Sequence, residues 1–171
     1  RNRNRSFRNC LKRRTDALGR TDGKVRPCTS RQKARFVARR TGLPVGADDS
    51  GLEVDALGGA PGVHSKRFTP EARDDTNNAH LLSKLDSVHD RKARFVCALA
   101  LVQGDREQVV RGTVEGQIGT ALQGDGGFGY DPLFWPEEAP GRSMAELSPQ
   151  EKDAISHRGR AFRQLPRLLE G

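Results

Sequence analysis

Three observations predict a single α/β domain over residues 33–171. Two strand-like stretches, residues 93–102 and 109–118, flank Gly104-Asp105 and read as an antiparallel hairpin. Helical patterns lie around them, at residues 33–40, after Thr69 and after Ser148. A chain of 171 residues with 34% apolar content fits one domain, or one domain with a tail, and can bury a real core. No run approaches the ~18 apolar residues of a membrane span. No apolar signal-peptide region is visible near the start. Cys10, Cys28 and Cys97 form no CxxC pair, so neither a disulfide framework nor a zinc site is expected. A cytoplasmic protein is the expectation.

Residues 1–32 follow neither a helical nor a strand period and are dominated by arginine. Residues 1–40 hold 15 Lys/Arg against Asp16 and Asp22, a net +13, whereas residues 41–171 hold 15 against 20 acids, a net −5. The total of +8 describes neither part. Such a start reads as a solvated arm. Lys33 to Arg40 then forms a short helix with Ala34, Val37 and Ala38 on one side, stopped by Gly42 and Pro44. Residues 44–47 read as a strand running into Asp48-Asp49-Ser50-Gly51, with Leu52, Val54 and Leu57 continuing as a broken strand. Residues 58–62 form a tight loop. Thr69-Pro70-Glu71 reads as a helix start, with Thr as N-cap and Pro at the first position. Ser148-Pro149-Gln150-Glu151 reads as a capping box opening a helix that runs through His157 and Phe162 to about Leu165.

Three segments carry possible chemistry. An acid pair at a strand end can place one carboxylate in a cleft and one on the backbone side, because strand side chains alternate. Such a carboxylate can hold Mg²⁺ or accept a proton from water. An acidic turn is the plain alternative. Gly126-Gly127-Phe128-Gly129-Tyr130-Asp131 joins close-approach glycines to two aromatics able to stack on a flat base, or equally to fill the core. Lys152 and Ser156 share a helix face, and Lys152, His157 and Arg158 suit phosphate or a carbonyl, unless they are only a solvated helix face. His64, His80 and His89 have no ligand-like spacing, and Cys97 reads as core. There is no Walker loop and no Ser–His–Asp or Cys–His set.

Taken together, residues 43–68 (LPVGADDSGLEVDALGGAPGVHSKRF), 93–102, 112–118, 124–136 (GDGGFGYDPLFWP) and 145–161 (AELSPQEKDAISHRGRA) resemble the inosine triphosphate pyrophosphatase family, in a bacterial form. The resemblance covers residues 33–171. It implies an elongated α/β fold with a central mixed sheet flanked by helices, a homodimer and Mg²⁺ dependence. It also implies hydrolysis of non-standard purine nucleoside triphosphates (ITP, dITP, XTP) to the monophosphate and pyrophosphate. Asp49 matches the proton acceptor and metal ligand, with Asp48 beside it. Ser50, Phe128, Gly129, Tyr130, Asp131, Lys152, His157 and Arg158 match the substrate contacts, and Lys33 a supporting lysine. A site built for the 6-keto group rejects adenine, because a buried donor would go unpaired.

That family opens with a strand and a Ser/Thr-x-Asn-x-x-Lys phosphate loop, followed by a metal-binding Glu. Residues 1–32 contain no such motif and no Glu. They are expected to be a non-native start, as an out-of-frame reading of GC-rich coding sequence would give. Two other functions are consistent with the composition. One is an inactive truncated family member. The other is a non-enzymatic nucleic-acid binder using the basic arm, which lacks aromatic interleaving. Neither a membrane nor a specific nucleic-acid partner is expected of the domain.

Overall fold

The computed structural model describes residues 24, 25 and 27–170. Order begins before Lys33. Helix α1 spans Pro27–Thr41 and starts on the proline, whose missing N–H costs nothing in a first turn. The arginine-rich composition hides this signal in the sequence. Val25 is buried against Val96 and Ala98, and its N–H donates to the Glu53 carboxylate at 2.9 Å. Gly42, at φ 69°, ends the helix, and its N–H reaches the Ala38 carbonyl at 2.8 Å. The remaining part of the proposed arm, residues 1–23 and 26, lies outside the described residues.

Four strands follow in the order β1 (Val45–Val54), β2 (Lys92–Gln103), β3 (Arg106–Ile118) and β4 (Phe134–Pro136). Helices flank the sheet, as expected. All three pairings among the described residues are antiparallel, so the parallel pair that a mixed sheet needs is not found among them. The Gly104-Asp105 hairpin forms where the two strand-like stretches placed it. β1 is one unbroken strand, pairing from Val45 with Val102 to Val54 with Ala93. Asp48 and Asp49 therefore sit in its middle, not at its end. The outer edge of β1 is covered in part. Leu52 N–H donates to Ser65 Oγ at 2.9 Å, and Val54 N–H to the Ala60 carbonyl at 3.1 Å.

The alternation of the strands sorts the molecule into two faces. On one, Ala100 and Val102 pack against Ala34 of α1. On the other, Leu52, Val54, Phe95, Val114 and Ile118 join Leu81, Leu85, Leu133, Phe134 and Met144 in the main core. Cys97 is buried on this second face with Leu99 and Ala161, as its apolar strand predicted.

Two helices differ from expectation. Helix α2 spans Asp74–Lys84, and Thr69-Pro70 lies ahead of it. Ala72, at φ 53°, breaks the chain between them, and the Thr69 N–H and hydroxyl both donate to Asn77 Oδ1 at 2.9 Å. Thr69 thus braces the helix from outside instead of capping it. The helix after Ser148 is three pieces: α3 (Pro149–Ile155), α4 (His157–Phe162) and α5 (Leu165–Glu170). The Ser148–Glu151 capping box forms as read. Ser156, extended at φ −63° and ψ 150°, ends α3, and its Oγ accepts the Gly159 N–H at 3.0 Å to start α4. Pro166 falls in the first turn of α5, where proline is tolerated. Gly112 of β3 lets α4 lie directly on the sheet, since a β-carbon there would run into the His157 carbonyl and the Ala161 nitrogen.

Candidate active site

A cleft of about 590 Å³ opens on the second face. Ser50, Phe128, Gly129, Tyr130, Asp131, Lys152, His157 and Arg158 all line it. All eight residues expected to contact substrate are thus gathered from three stretches of sequence far apart from one another: β1, the Gly-rich loop and the α3–α4 pair.

The Gly-rich loop forms one wall. Gly127, at φ 77°, leaves room for the Asp131 side chain, whose Oδ2 accepts the Phe128 N–H at 2.7 Å. Asp131 is buried and forms an ion pair with Lys152. Tyr130 is also buried, and its hydroxyl donates to the Ser65 carbonyl at 2.8 Å. Burial pushes the phenol above its ordinary range, so it stays a neutral donor. Phe128 is 64% exposed, with the Lys152 ammonium 4.6 Å from its ring centroid. One aromatic therefore serves the core and the other stands free at the cleft.

The break at Ser156 sends the next two side chains in different directions. His157 stacks on Phe95, with centroids 5.0 Å apart and planes 14° from parallel. Burial, then the neighbouring Arg158 and Lys152 cations, pull its pKa down to about 4, so the imidazole is neutral at pH 7. Its Nδ1 is buried without a hydrogen-bond partner among the described residues. Arg158 reaches back to β1 and lies 3.4 Å from the Asp48 carboxylate. The Ser50 hydroxyl donates to Asp48 Oδ2 at 3.2 Å.

Asp49 and Lys33 do not line the cleft. Alternation turns Asp49 to the α1 face, with Lys33 Nζ 3.6 Å from its Oδ1. The same ammonium donates to the Asp48 carbonyl at 3.0 Å. Asp49 Oδ2 is buried and has no hydrogen-bond partner among the described residues. A buried carboxylate oxygen with free lone pairs is costly unless a cation or proton comes to it. Among the described residues no three His, Cys, Asp or Glu side chains gather as a metal cage. The donor set fits a cation held by one carboxylate plus substrate phosphates and water, the usual manner of Mg²⁺.

Several lining residues carried no local signal in the sequence. Ser65, Lys66, Asp74 and Asn77 come from the segment before α2 and from its first turn, and Phe95 from the hairpin. Their role rests on contacts with residues far along the chain. His64 and His89 are exposed as expected, and His80 packs edge-on against Phe68 at 4.8 Å.

Comparison with known proteins agrees with this architecture. The Ham1 family model matches residues 22–168. The dITP/XTP pyrophosphatase of Mycolicibacterium paratuberculosis is 55% identical over 141 residues, which is 81% of this chain and 69% of that protein. The protein of the same name from Geobacillus kaustophilus is 53% identical over 142 residues, again 81% and 69%. The solved Ham1 protein of Staphylococcus aureus superposes with a TM-score of 0.78 at 41% identity, covering 83% of this chain and 74% of that one. A HAM1 protein from Coxiella burnetii gives 0.77 at 40% identity, covering 86% and 80%. With a family match across nearly all the described residues and relatives more than half identical, the chain belongs to the Ham1 family.

Proposed function

We propose that this chain is a nucleoside-triphosphate pyrophosphatase that hydrolyses ITP, dITP and XTP to the nucleoside monophosphate and pyrophosphate. One observation carries the reading. A single cleft unites an exposed aromatic, a buried acid–lysine pair and a neutral histidine with the cations Lys152 and Arg158. That is a set suited to a flat base joined to phosphates, in a chain similar to proteins named dITP/XTP pyrophosphatase.

The nucleotide would lie across β1. Its base would stack on Phe128, with Asp131 and the neutral His157 offering polar contacts to the ring. Its phosphates would run toward Asp48-Asp49, where Arg158 and Lys33 supply positive charge from opposite faces. Asp49 would accept a proton from the water whose oxygen bonds to the α-phosphorus, while the bond from that phosphorus to the pyrophosphate oxygen breaks. The unpaired Oδ2 favours Asp49 over Asp48, whose oxygens already face Arg158 and Ser50. Asp49 would also hold Mg²⁺, which when bound supplies positive charge that stabilises the phosphate oxygens and the leaving pyrophosphate. The cytoplasm, where nucleotides are pooled, and a homodimer complete the proposal. Purified protein given dITP and Mg²⁺ is expected to release one pyrophosphate per dIMP, and chelation of Mg²⁺ to stop it. Release of three single phosphates, or no turnover, would count against the assignment.

A further inference from the structure

We infer that Asp74 and Asn78 are positioning residues for the base, gripping Gly129 by its N–H and its carbonyl so that Phe128 is held up as a stacking surface. The inference rests on the proposed function, because it concerns the same cleft. Phe128 is 64% exposed and belongs to none of the core clusters among the described residues, with only the Lys152 ammonium placed over its ring at 4.6 Å. What fixes an exposed ring is its backbone. That backbone is tied at each end of a two-residue stretch. The Phe128 N–H donates to Asp131 Oδ2 at 2.7 Å. The Gly129 N–H donates to Asp74 Oδ2 at 2.9 Å, and the Gly129 carbonyl accepts from Asn78 Nδ2 at 2.9 Å.

Asp74 and Asn78 are four residues apart on α2, so they stand one above the other on one face. A single helix turn therefore captures both backbone polar groups of one residue, which belong to the peptide units on either side of its Cα. The helix end is itself braced. Lys66 Nζ lies 2.8 Å from Asp74 Oδ1, and Asn77 Nδ2 donates to the Lys66 carbonyl at 3.3 Å. The Lys66 bond, then the Gly129 N–H, holds the Asp74 carboxyl below its ordinary range, so it remains an anionic acceptor at neutral pH. Asn78 is buried, and its Oδ1 finds no partner among the described residues. Its amide is thus committed to Gly129 by one bond. With Gly129 in the left-handed region at φ 63°, the loop has a conformation that the two bonds select from several open to glycine.

The test separates base binding from phosphate binding by calorimetry, using inosine monophosphate and inorganic tripolyphosphate, which has no base. Asp74→Ala and Asn78→Ala are each expected to weaken inosine monophosphate roughly tenfold, as loss of one polar anchor implies. Tripolyphosphate should bind within about twofold of wild type, since nothing in its own site changes. The double variant should lose little more than either single one, because both side chains fix the backbone of the same residue. Asp74→Asn keeps an acceptor oxygen and should recover most of the loss. Because Asp74 is partly exposed, Asp74→Ala carries the test should Asn78→Ala fail to fold. Unchanged inosine monophosphate affinity in a folded variant overturns the inference, and so does equal weakening of both ligands. If wild type hydrolyses dITP while the variants bind as it does, this inference alone fails. If wild type neither binds inosine monophosphate nor hydrolyses dITP, the proposed function fails and takes the inference with it.

Discussion

The two ends of the proposed nucleotide path across β1 are built on opposite principles. At the Leu52 end, the base loop is saturated with internal partners. Asp131 holds Lys152 and the Phe128 N–H, Tyr130 holds the Ser65 carbonyl, and Gly129 is bonded on both sides. At the Asp48-Asp49 end, the contacts are long. Arg158 stands 3.4 Å from one acid and Lys33 3.6 Å from the other, and one buried oxygen is unpartnered. The first end is already shaped for what it receives. The second keeps acceptor capacity that only a cation or a proton completes. Specificity and chemistry thus draw on different resources: fixed hydrogen bonds in one case, unspent charge in the other.

Three changes would break or sharpen that contrast. Asp49→Asn removes the unspent charge and little else, so kcat should fall by on the order of 10²–10⁴ with the melting temperature nearly unchanged. An Asn variant that turned over dITP at the wild-type rate would sink the role given to Asp49. Lys152→Ala acts on the saturated end. It leaves Asp131 buried with a backbone partner but no cation. Breaking such a pair is expected to cost about 3 kcal/mol, at the low end for buried pairs because the lysine is partly exposed. Urea unfolding measures this, and a loss below about 1 kcal/mol would mean that the pair is effectively solvated. The third change is in pH. His157 is depressed to about 4 in the folded chain from an ordinary value near 6.5. A proton on it therefore favours the unfolded state. Its contribution is full above about 6.5 and is lost as the pH falls toward 4. A fall of about 3 kcal/mol across that window is expected, flattened by His157→Phe. The carboxyls of Asp74 and Glu107, held below their ordinary range by Lys66 and Arg35, lose their share at lower pH still. A His157→Phe variant with the wild-type slope would place the imidazole in water.

Much of this site was legible in the sequence, and the illegible part has physical causes. The hairpin showed because eight apolar residues in a row, 95–102, have few other uses, and Gly104-Asp105 marked its turn. The Ser148–Glu151 cap showed because its partners are three residues apart. The break at Ser156 did not, since serine is unremarked inside a helix until its backbone turns extended and its hydroxyl caps the next one. Thr69-Pro70 carried the right residues for a helix start, but the side chain was taken by Asn77. Asp74 and Asn78 read as ordinary helix polar groups. Their partner is 55 and 51 residues away, a distance no local pattern encodes. The acid pair was correctly split between two faces, yet placed at a strand end. The small residues Gly46, Ala47, Ser50 and Gly51 around it look like a turn, although they pair in register throughout.

The unbroken register of β1 against β2 has a consequence for how this enzyme can change. Ten consecutive residues pair one to one, with no bulge among them. Which acid faces the cleft and which faces α1 is therefore decided by parity alone. Inserting or deleting one residue between Val45 and Asp48 would transpose Asp48 and Asp49, aiming each at the other's partners. The same lesion in the Gly42–Pro44 connection would leave both in place. Adjacent identical residues, which look redundant, are a two-position address, and length variation within this strand should be tolerated far less than substitution.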